Sequence, residues 1–596
     1  MKKISFILSI ILTIGIFSGC NDNLKYSEVD VYDEAWMFDN QSQVASMLGT
    51  IYAHVRHGLG TQDDSGMSGA MLASATDESD FSFSLSAIHR YYNGAWSSVN
   101  AFPYTWTNSY AAIYKANNFL ERLDLVFATL KQYENNEGGY STNGATSISY
   151  DRLKKQFELF PYQARFLRAY FHFELAKTYG NVPLVTRTVS PDEANQLKPT
   201  PVQDVFQFVV DECDAIMQYL PISYADQEGS QIGRVNRPTV LALKARTLLY
   251  AASPLYNPAN PKEAWHKAAV ACKELIDNAE AWGITLGTYA NIWSATNYYA
   301  NPEVIWFRGA SPNDFGTCNT NIYAIYNYPV GFEGAITGGN CPTQNLVDAY
   351  EYSNAAPADR KGKTFAAVNP TTAIADTAYK NLDPRFALTV AKNGDTWPTV
   401  TPYSDHPLET FDGGISGPPI TNATTTGYYL KKYINGGNRV SGSSAIGSRY
   451  TWVTYRLGEF YLDYAEAMFN YMGRNATAIG DGNLNMSAND AINVLRNRPD
   501  IKMPLFTETG DAWEQRYIRE RMVELAFEGH RFWDIRRWKK GPELYSNIKT
   551  IRVTRDGKVT RGPEIDRGNW DDKFYFYPIP FGELQKAQGL TQNPGW

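Results

Sequence analysis

The sequence predicts a mainly α-helical protein in which helical hairpins form a scaffold and a long loop-rich region forms the ligand-binding surface. Two observations lead to this prediction. Apolar residues recur at three- and four-residue spacing near both ends of the chain, the pattern of amphipathic helices. Between about residues 281 and 450, by contrast, Gly, Pro, Asn, Thr and Tyr are concentrated in stretches such as FDGGISGPPITNATTTGYY, which are typical of loops.

The N-terminal helices follow one another with short connectors. The apolar positions from Val44 to Leu59 share one helical face, and Tyr110, Ile113 and Tyr114 line up in the same way. Pro201 begins a further helix in the manner of a first-turn proline. Such serial pairing is TPR-like, although no strict repeat of fixed period accompanies it. After the loop-rich region, segments such as YRLGEFYLDYAEAM return to the helical pattern.

The N-terminus has the composition of an export signal. Lys2 and Lys3 precede the apolar run ISFILSIILTIGIF, and Cys20 follows Ser18 and Gly19. We therefore predict a lipoprotein signal peptide over residues 1–19 and a diacylated Cys20 that anchors the mature chain, residues 20–596, to a membrane. The alternative is an ordinary cleaved signal with an incidental cysteine.

Composition excludes several classes of function. The 596 residues carry a formal net charge of −7 with no long basic run, so nucleic acid is not an expected partner. The cysteines beyond Cys20 form no CxxC pair, and neither a zinc site nor a disulfide framework is indicated. Cys318 and Cys341 lie in one loop-rich region, and their spacing leaves a disulfide between them open.

The stretch VELAFEGHRFWDIRRWKKG, residues 523–541, packs carboxylates, cations and tryptophans closely enough to resemble an active site. Glu524 and Glu528 stand four residues apart, and Glu528, Arg531 and Asp534 can pair at helical spacing. Charges that lie among aromatic residues must be paired to be tolerated. We therefore interpret this stretch as structural rather than catalytic.

Other catalytic patterns are weak. HExxH, GxSxG, P-loop and dinucleotide motifs are absent from the sequence, and no cofactor is expected. His54 and His57 lack a convincing third zinc ligand. DGNLNMSAND, residues 481–490, departs from a calcium loop at its glycine and glutamate positions and is interpreted as a turn. Asp77, Glu78 and Asp80 could supply a glycosidase pair, but neighbouring side chains on an extended segment point to opposite faces.

Five segments in order, behind the lipoprotein signal, closely resemble the SusD/RagB family of outer-membrane lipoproteins. They are ARFLRAYFHFELAKTYGNVPLV, YRLGEFYLDYAEAM, AINVLRNRPDI, IRERMVELAFEGHRFWDIRRWK and YPIPFGELQ with LTQNPGW. The resemblance implies one SusD-like domain over residues 20–596, with TPR-like helices at about 36–280, a loop-rich region at about 281–450, and C-terminal helices at about 451–596. It also implies a protein tethered at the cell surface that binds a glycan and passes it to a SusC-like TonB-dependent transporter, without catalysis.

The predicted glycan site combines flat aromatic rings for the sugar faces with polar groups for the hydroxyl edges. In the family, binding aromatics come from segments that resemble residues 89–106 and 288–307 of this chain. Trp96 and Trp293 are predicted as stacking platforms, Tyr298 and Tyr299 as secondary platforms, and Asp77 and Asn100 as partners for hydroxyls. Trp106 and Trp306 continue apolar spacing and are predicted to be core.

Three alternatives stay open at this point. A RagB-like peptide binder would use the same region with main-chain hydrogen bonds. A surface glycoside hydrolase would depend on the carboxylates at 77–80. A purely structural TPR-like adaptor would use its aromatic residues as core and its loops for the transporter alone.

Overall fold

A computed structural model describes residues 37–59, 66–134, 140–142, 145–224, 233–293, 301–309, 326–332, 335–397, 407–433, 451–545 and 547–596. The predicted signal peptide with Cys20 lies outside the described residues, as do Tyr298, Tyr299 and Cys318. The predictions made for these residues therefore stay predictions.

Helices predominate, as the sequence predicted. Their bounds are α1 (Gln41–Tyr52), α2 (Tyr104–Leu120), α3 (Leu123–Lys131), α4 (Tyr150–Tyr179), α5 (Pro191–Ala194), α6 (Val202–Ile216), α7 (Arg237–Ala252), α8 (Lys262–Ala279), α9 (Tyr289–Ile292), α10 (Gln344–Ala349), α11 (Phe365–Val368), α12 (Pro384–Thr389), α13 (Leu457–Tyr471), α14 (Ala488–Arg496), α15 (Gly510–Glu524), α16 (His530–Arg537), α17 (Gly541–Leu544) and α18 (Phe581–Lys586). Within the described ranges, no helix has the length and apolar character that a bilayer crossing requires.

The described residues form two compact units. The smaller unit comprises the chain up to Thr50 together with Arg122–Glu158. In it, the Thr129 hydroxyl of α3 donates to the carbonyl of Phe38 at 2.7 Å, and the backbone N–H of Gln41 donates to the Tyr133 hydroxyl at 3.1 Å. The larger unit comprises Ile51–Glu121 and Leu159–Trp596, and it contains all the remaining predicted site residues that the structure describes.

The helices of the larger unit pack in series, which confirms the TPR-like prediction. Helix α6 packs on α7, α7 on α8, α8 on α13, and α13 on α14. Buried alanines such as Ala268 and Ala465 let the α8 and α13 backbones approach closely. Arg246 of α7 adds a double ion pair to Glu459 of α13, with both N–O distances at 2.6 Å.

Local sequence signals determine where several helices begin. The Asn236 side chain accepts the Thr239 N–H at the start of α7, where Pro238 occupies the first turn. Ser487 and Asp490 form a capping box at the start of α14. This cap follows a turn at residues 482–483, so the interpretation of DGNLNMSAND as a turn is confirmed.

The loop-rich region, residues 281–450, contains only short elements among its described residues, including strands β4 to β8.

The strands among the described residues are β1 (Ser79–Phe81), β2 (Tyr140–Thr142), β3 (Ala145–Ile148), β4 (Val304–Gly309), β5 (Asn340–Pro342), β6 (Ala373–Ile374), β7 (Val390–Ala391), β8 (Tyr429–Leu430), β9 (Thr451–Arg456), β10 (Ile551–Val553) and β11 (Val559–Arg561). All pairings are antiparallel: β1 with β5, β2 with β3, β4 with β9, β7 with β8, and the series β10, β11, β6.

Many aromatic residues of this region are core rather than surface. Tyr350, Tyr352 and Tyr428 are fully buried and belong to one hydrophobic cluster with residues of α9, α10, α12 and α15. A second cluster includes Trp397 and Tyr429. The loop region therefore shares an apolar core with neighbouring parts of the chain, because a segment without long helices must bury its rings against other elements.

Candidate ligand-binding site

The stretch 523–541 is the centre of a buried ion-pair network. Arg456, at the end of β9, donates from Nη1 to Glu303 and to Glu524 at 2.9 Å each, and from Nε to Glu528 at 2.7 Å. All four side chains are buried. Burial raises the pKa of Glu524, but the guanidinium groups of Arg498, Arg456 and Arg385 outweigh burial and hold this pKa at about 2. Each of these carboxylates is paired with a buried guanidinium, which agrees with the structural interpretation of the stretch.

The predicted pairing partners within this stretch were wrong. Glu528, Arg531 and Asp534 do not pair with one another at helical spacing. Helix α15 ends at Glu524 and α16 begins at His530, and between them Phe527 (φ 61°) and Gly529 (φ 81°) adopt left-handed conformations. Because the helix is interrupted there, Glu528 instead reaches Arg456 and Lys432, and Arg531 reaches Asp77.

The carboxylates at 77–80 are buried in separate contacts. Both oxygens of Asp77 accept from Arg531, at 2.9 and 2.8 Å. Asp80 accepts from Arg567 and from the Thr425 hydroxyl, each at 2.6 Å. Glu78 is 1% exposed and accepts the Phe527 N–H at 3.0 Å, and burial raises its pKa to about 8. These contacts tie the β1 segment to distant parts of the chain, and the role of Asp77 toward sugar hydroxyls stays a prediction.

Trp96 lies in a closed aromatic cluster and is only 4% exposed. Its indole stacks on Phe574 with a centroid distance of 5.7 Å and meets Tyr91, Tyr577 and Trp596 edge-on at 4.7 to 4.9 Å. Through these contacts Trp96 packs against the segment that contains Phe574 and Trp596. The indole N–H has no acceptor among the described residues. Stacking of a sugar on Trp96 stays a prediction.

Trp293 follows α9 and is 7% exposed. The Lys432 ammonium lies 4.0 Å from the centroid of its ring, and Tyr433 meets it edge-on at 5.1 Å. Burial lowers the pKa of Lys432 to about 8, although its partner Glu528 opposes that shift. As with Trp96, the indole N–H lacks an acceptor within the described part of the chain. Its predicted role as a platform likewise remains untested.

Asn100 lies in the same loop as Trp96, four residues further along the chain. Its side-chain amide donates to the carbonyl of Ala95 at 2.9 Å, and its backbone N–H donates to the Ser97 hydroxyl at 3.1 Å. The side-chain oxygen is left for other partners, and binding of a sugar hydroxyl there stays a prediction. Trp106 and Trp306 are buried, which confirms that they belong to the core.

The structure adds little to the metal and thiol predictions. Across the described ranges, no group of three or more His, Cys, Asp and Glu residues could hold a metal ion. His54 instead hydrogen-bonds the Asn108 side chain at 2.7 Å. The Cys341 thiol is buried and donates to the Gly339 carbonyl at 3.5 Å. Cys341 is a free cysteine in the structure, and Cys318 lies outside the described residues.

A groove that sequence reasoning missed lies elsewhere on the larger unit. Its volume is about 340 Å³, and it is bordered by α2, by the segment from Pro183 to Leu197 and by the C-terminal segment from Glu583 to Leu590. Tyr114, predicted to share the buried face of α2, is 52% exposed at this groove. The spacing of α2 showed the apolar face, but no signal showed that the C-terminus would border it.

Comparison with known proteins identifies the family. The model of the SusD family matches residues 302–596, and a second model, described as starch-binding associating with outer membrane, matches residues 22–249. The chain belongs to the SusD-like family. SusD-like protein P2 of Formosa agariphila is 22% identical to it over 453 residues, which is 73% of each protein.

Solved structures of SusD-like proteins share the fold. A SusD-like protein from Bacteroides fragilis is 23% identical, with a TM-score of 0.70 over 95% of this chain and 98% of that one. A SusD-like carbohydrate binding protein from the same species is 22% identical, with a TM-score of 0.68 over 93% and 100% of the two chains. A laminarin binding SusD-like protein is 19% identical, with a TM-score of 0.60 over 94% and 100%.

Replacing Trp96 by alanine is expected to destabilise the protein by about 3 to 5 kcal/mol, because it removes the centre of a packed aromatic cluster. The measurement is urea unfolding followed by circular dichroism. Val99→Ala in the same loop is the control, since Val99 is largely exposed. A Trp96→Ala protein that unfolds like the wild type would show that the cluster is not needed for stability.

Replacing Arg456 by methionine is expected to cost about 3 to 5 kcal/mol, because three buried carboxylates lose a shared cation. The control is Arg552→Met, whose exposed pair with Asp412 at 3.4 Å should contribute less than about 1 kcal/mol. Both are measured by urea unfolding at neutral pH. Equal losses in the two variants would contradict the structural role of the network.

Glu78→Gln is expected to change the pH dependence of stability. Because the folded state raises the pKa of Glu78 to about 8, the native protein retains a proton that the unfolded chain releases above about pH 4.5. The contribution of Glu78 to stability therefore falls as pH rises from about 4.5 to 8. Glutamine mimics the protonated acid, so the variant should melt above the wild type at pH 9 and close to it at pH 5. If the melting temperatures of the variant and the wild type differed by the same amount at both pH values, the raised pKa of Glu78 would be contradicted.

Proposed function

We propose that this SusD-like protein captures a glycan, an oligo- or polysaccharide, at the cell surface and delivers it to a partner SusC-like TonB-dependent transporter. The supporting observation is the match of SusD-like family models to both halves of the chain. Structural relatives described as carbohydrate binding and laminarin binding favour a glycan as the ligand. A diacylated Cys20 would hold the protein on the outer membrane, with its body facing the exterior.

Capture without hydrolysis fits the state of the carboxylates. A glycosidase needs two carboxyl groups that face the scissile bond from opposite sides. Here Asp77 and Asp80 are each committed to an arginine, and Glu78 is buried against a backbone N–H. A substrate would have to displace a buried ion pair before Asp77 or Asp80 could act, and it would have to reach the buried Glu78, so binding is favoured over catalysis.

The proposed site comprises Trp96, Trp293, Tyr298, Tyr299, Asp77 and Asn100. Trp96 and Trp293 are only 4% and 7% exposed, so a sugar ring would have to bind at the small part of each indole that solvent reaches. The indole N–H groups of both residues are buried and have no acceptor in the described part of the chain. Aromatic rings combined with neutral and acidic polar groups match the C–H faces and hydroxyl edges of a pyranose.

We expect the soluble form that lacks residues 1–20 to be retained on a glycan array and to leave the bound glycan intact. Retention should be followed by calorimetry with the purified glycan, and by chromatography of the glycan after prolonged incubation. Trp293→Ala should weaken binding by at least about 2 kcal/mol if the ring stacks on a sugar. Tyr219→Ala, on a half-exposed ring outside the proposed site, is the control.

Three outcomes would redirect the proposal. A blank array from a folded sample, together with binding to a peptide library, would favour a RagB-like peptide binder. Release of shorter sugars would establish hydrolysis. Failure to bind either ligand class would favour a structural adaptor that contacts the transporter alone.

A further inference from the structure

The groove between α2, Pro183–Leu197 and Glu583–Leu590 has the size and lining of a ligand site. Its volume of about 340 Å³ lies within the range of roughly 300 to 1,000 Å³ that is usual for small-molecule pockets. Apolar side chains form its walls, among them Trp106, Ile113, Val185, Leu197 and Leu590. Tyr110 is held in place because its hydroxyl donates to the Pro183 carbonyl at 3.0 Å. A rigid apolar wall of this kind suits a flat C–H surface.

Neutral polar groups border the apolar wall. Thr107, Tyr114 and Asn195 line the groove, and among the described residues their side chains make no hydrogen bond to protein. They supply two hydroxyls and one amide, each able both to donate and to accept. Tyr114 is 52% exposed, so part of its ring is accessible to a ligand. An open ring beside unpaired hydroxyl and amide groups matches the two kinds of surface on a sugar.

The charges at the groove cancel. Arg187 pairs with Glu193, with an Nη1–Oε2 distance of 3.1 Å, and Lys586 pairs with Glu583 at 3.0 Å. Since both cations that line the groove are matched by a carboxylate, its mouth offers no net charge to an acidic sugar or to a charged peptide terminus. A neutral ligand needs no unpaired charge at this position.

We propose that this groove binds one or two rings of a neutral glycan. It is a second binding site, because it shares no residue with the site of Trp96, Trp293 and Asp77. The choice of a glycan as its ligand rests on the proposed function, whereas its preference for neutral sugars rests on the groove alone. The Tyr114 ring supports the C–H face of a pyranose, and Thr107 and Asn195 bind its hydroxyls.

The test is calorimetry on the soluble form with three neutral probes, laminarihexaose, maltohexaose and mannohexaose, and one acidic probe, hexagalacturonic acid. At least one neutral hexasaccharide should bind more tightly than the acidic one.

Tyr114→Ala should weaken this binding about tenfold, because an open aromatic platform is lost. Ala194→Trp should weaken it at least as much by filling the groove. Tyr219→Ala is the matched control, since Tyr219 is 50% exposed and lies outside the groove. Melting profiles confirm that each variant is folded.

The outcomes separate the two proposals. Binding of a neutral hexasaccharide that Tyr114→Ala and Ala194→Trp leave unchanged would overturn the groove site and keep the glycan function. Tighter binding of the acidic probe would overturn the preference for neutral sugars. If no neutral hexasaccharide binds the wild type, the groove proposal fails, and retention of another glycan on the array would still support the proposed function.

Discussion

The larger unit depends on the burial of Arg456. A guanidinium group removed from water is tolerated only when carboxylates surround it in good geometry. Here the partners come from three places: Glu303 precedes β4, Glu524 ends α15, and Glu528 lies in the interruption before α16. Each carboxylate also contacts a further cation, among them Arg498, Arg385 and Lys432. Because the contacts must form together, segments separated by more than 200 residues are held in one arrangement.

The same network explains why the charged stretch 523–541 is not an active site. Its three carboxylates, Glu524, Glu528 and Asp534, each contact two or more buried cations, and Arg531 and Arg537 pair with buried carboxylates in turn. The interruption between α15 and α16 turns Glu528 and Arg531 away from each other, so that each ties a different part of the chain to this centre. Lys432 extends the network to Trp293, which connects one of the predicted binding residues to the structural core.

Aromatic residues have two roles in this protein, core packing and proposed ligand binding. The degree of burial distinguishes the residues that have each role. Trp96 closes a cluster with the C-terminal rings of Phe574 and Trp596, whereas Tyr114 keeps half of its surface free. Aromatic rings in Gly- and Asn-rich loops suggest a role in glycan binding. Such loops also require buried rings for packing, so the sequence alone does not distinguish the two roles. If both proposed regions bind glycan, simultaneous contact at the two would hold a polymer more tightly than either region alone.

The sequence by itself determined the helical class, the serial pairing of helices, the loop-rich region and the core positions of Trp106 and Trp306, because these follow from local spacing and turn chemistry. The five ordered segments also identified the SusD-like family. Only the tertiary structure decided the partners of Asp77 and Arg531, which are 454 residues apart, and the enclosure of Trp96 by Trp596. It likewise decided that Tyr114 borders a groove. Long-range packing fixes these contacts, and hydrophobic periodicity says which face of a helix is apolar but not what will cover it.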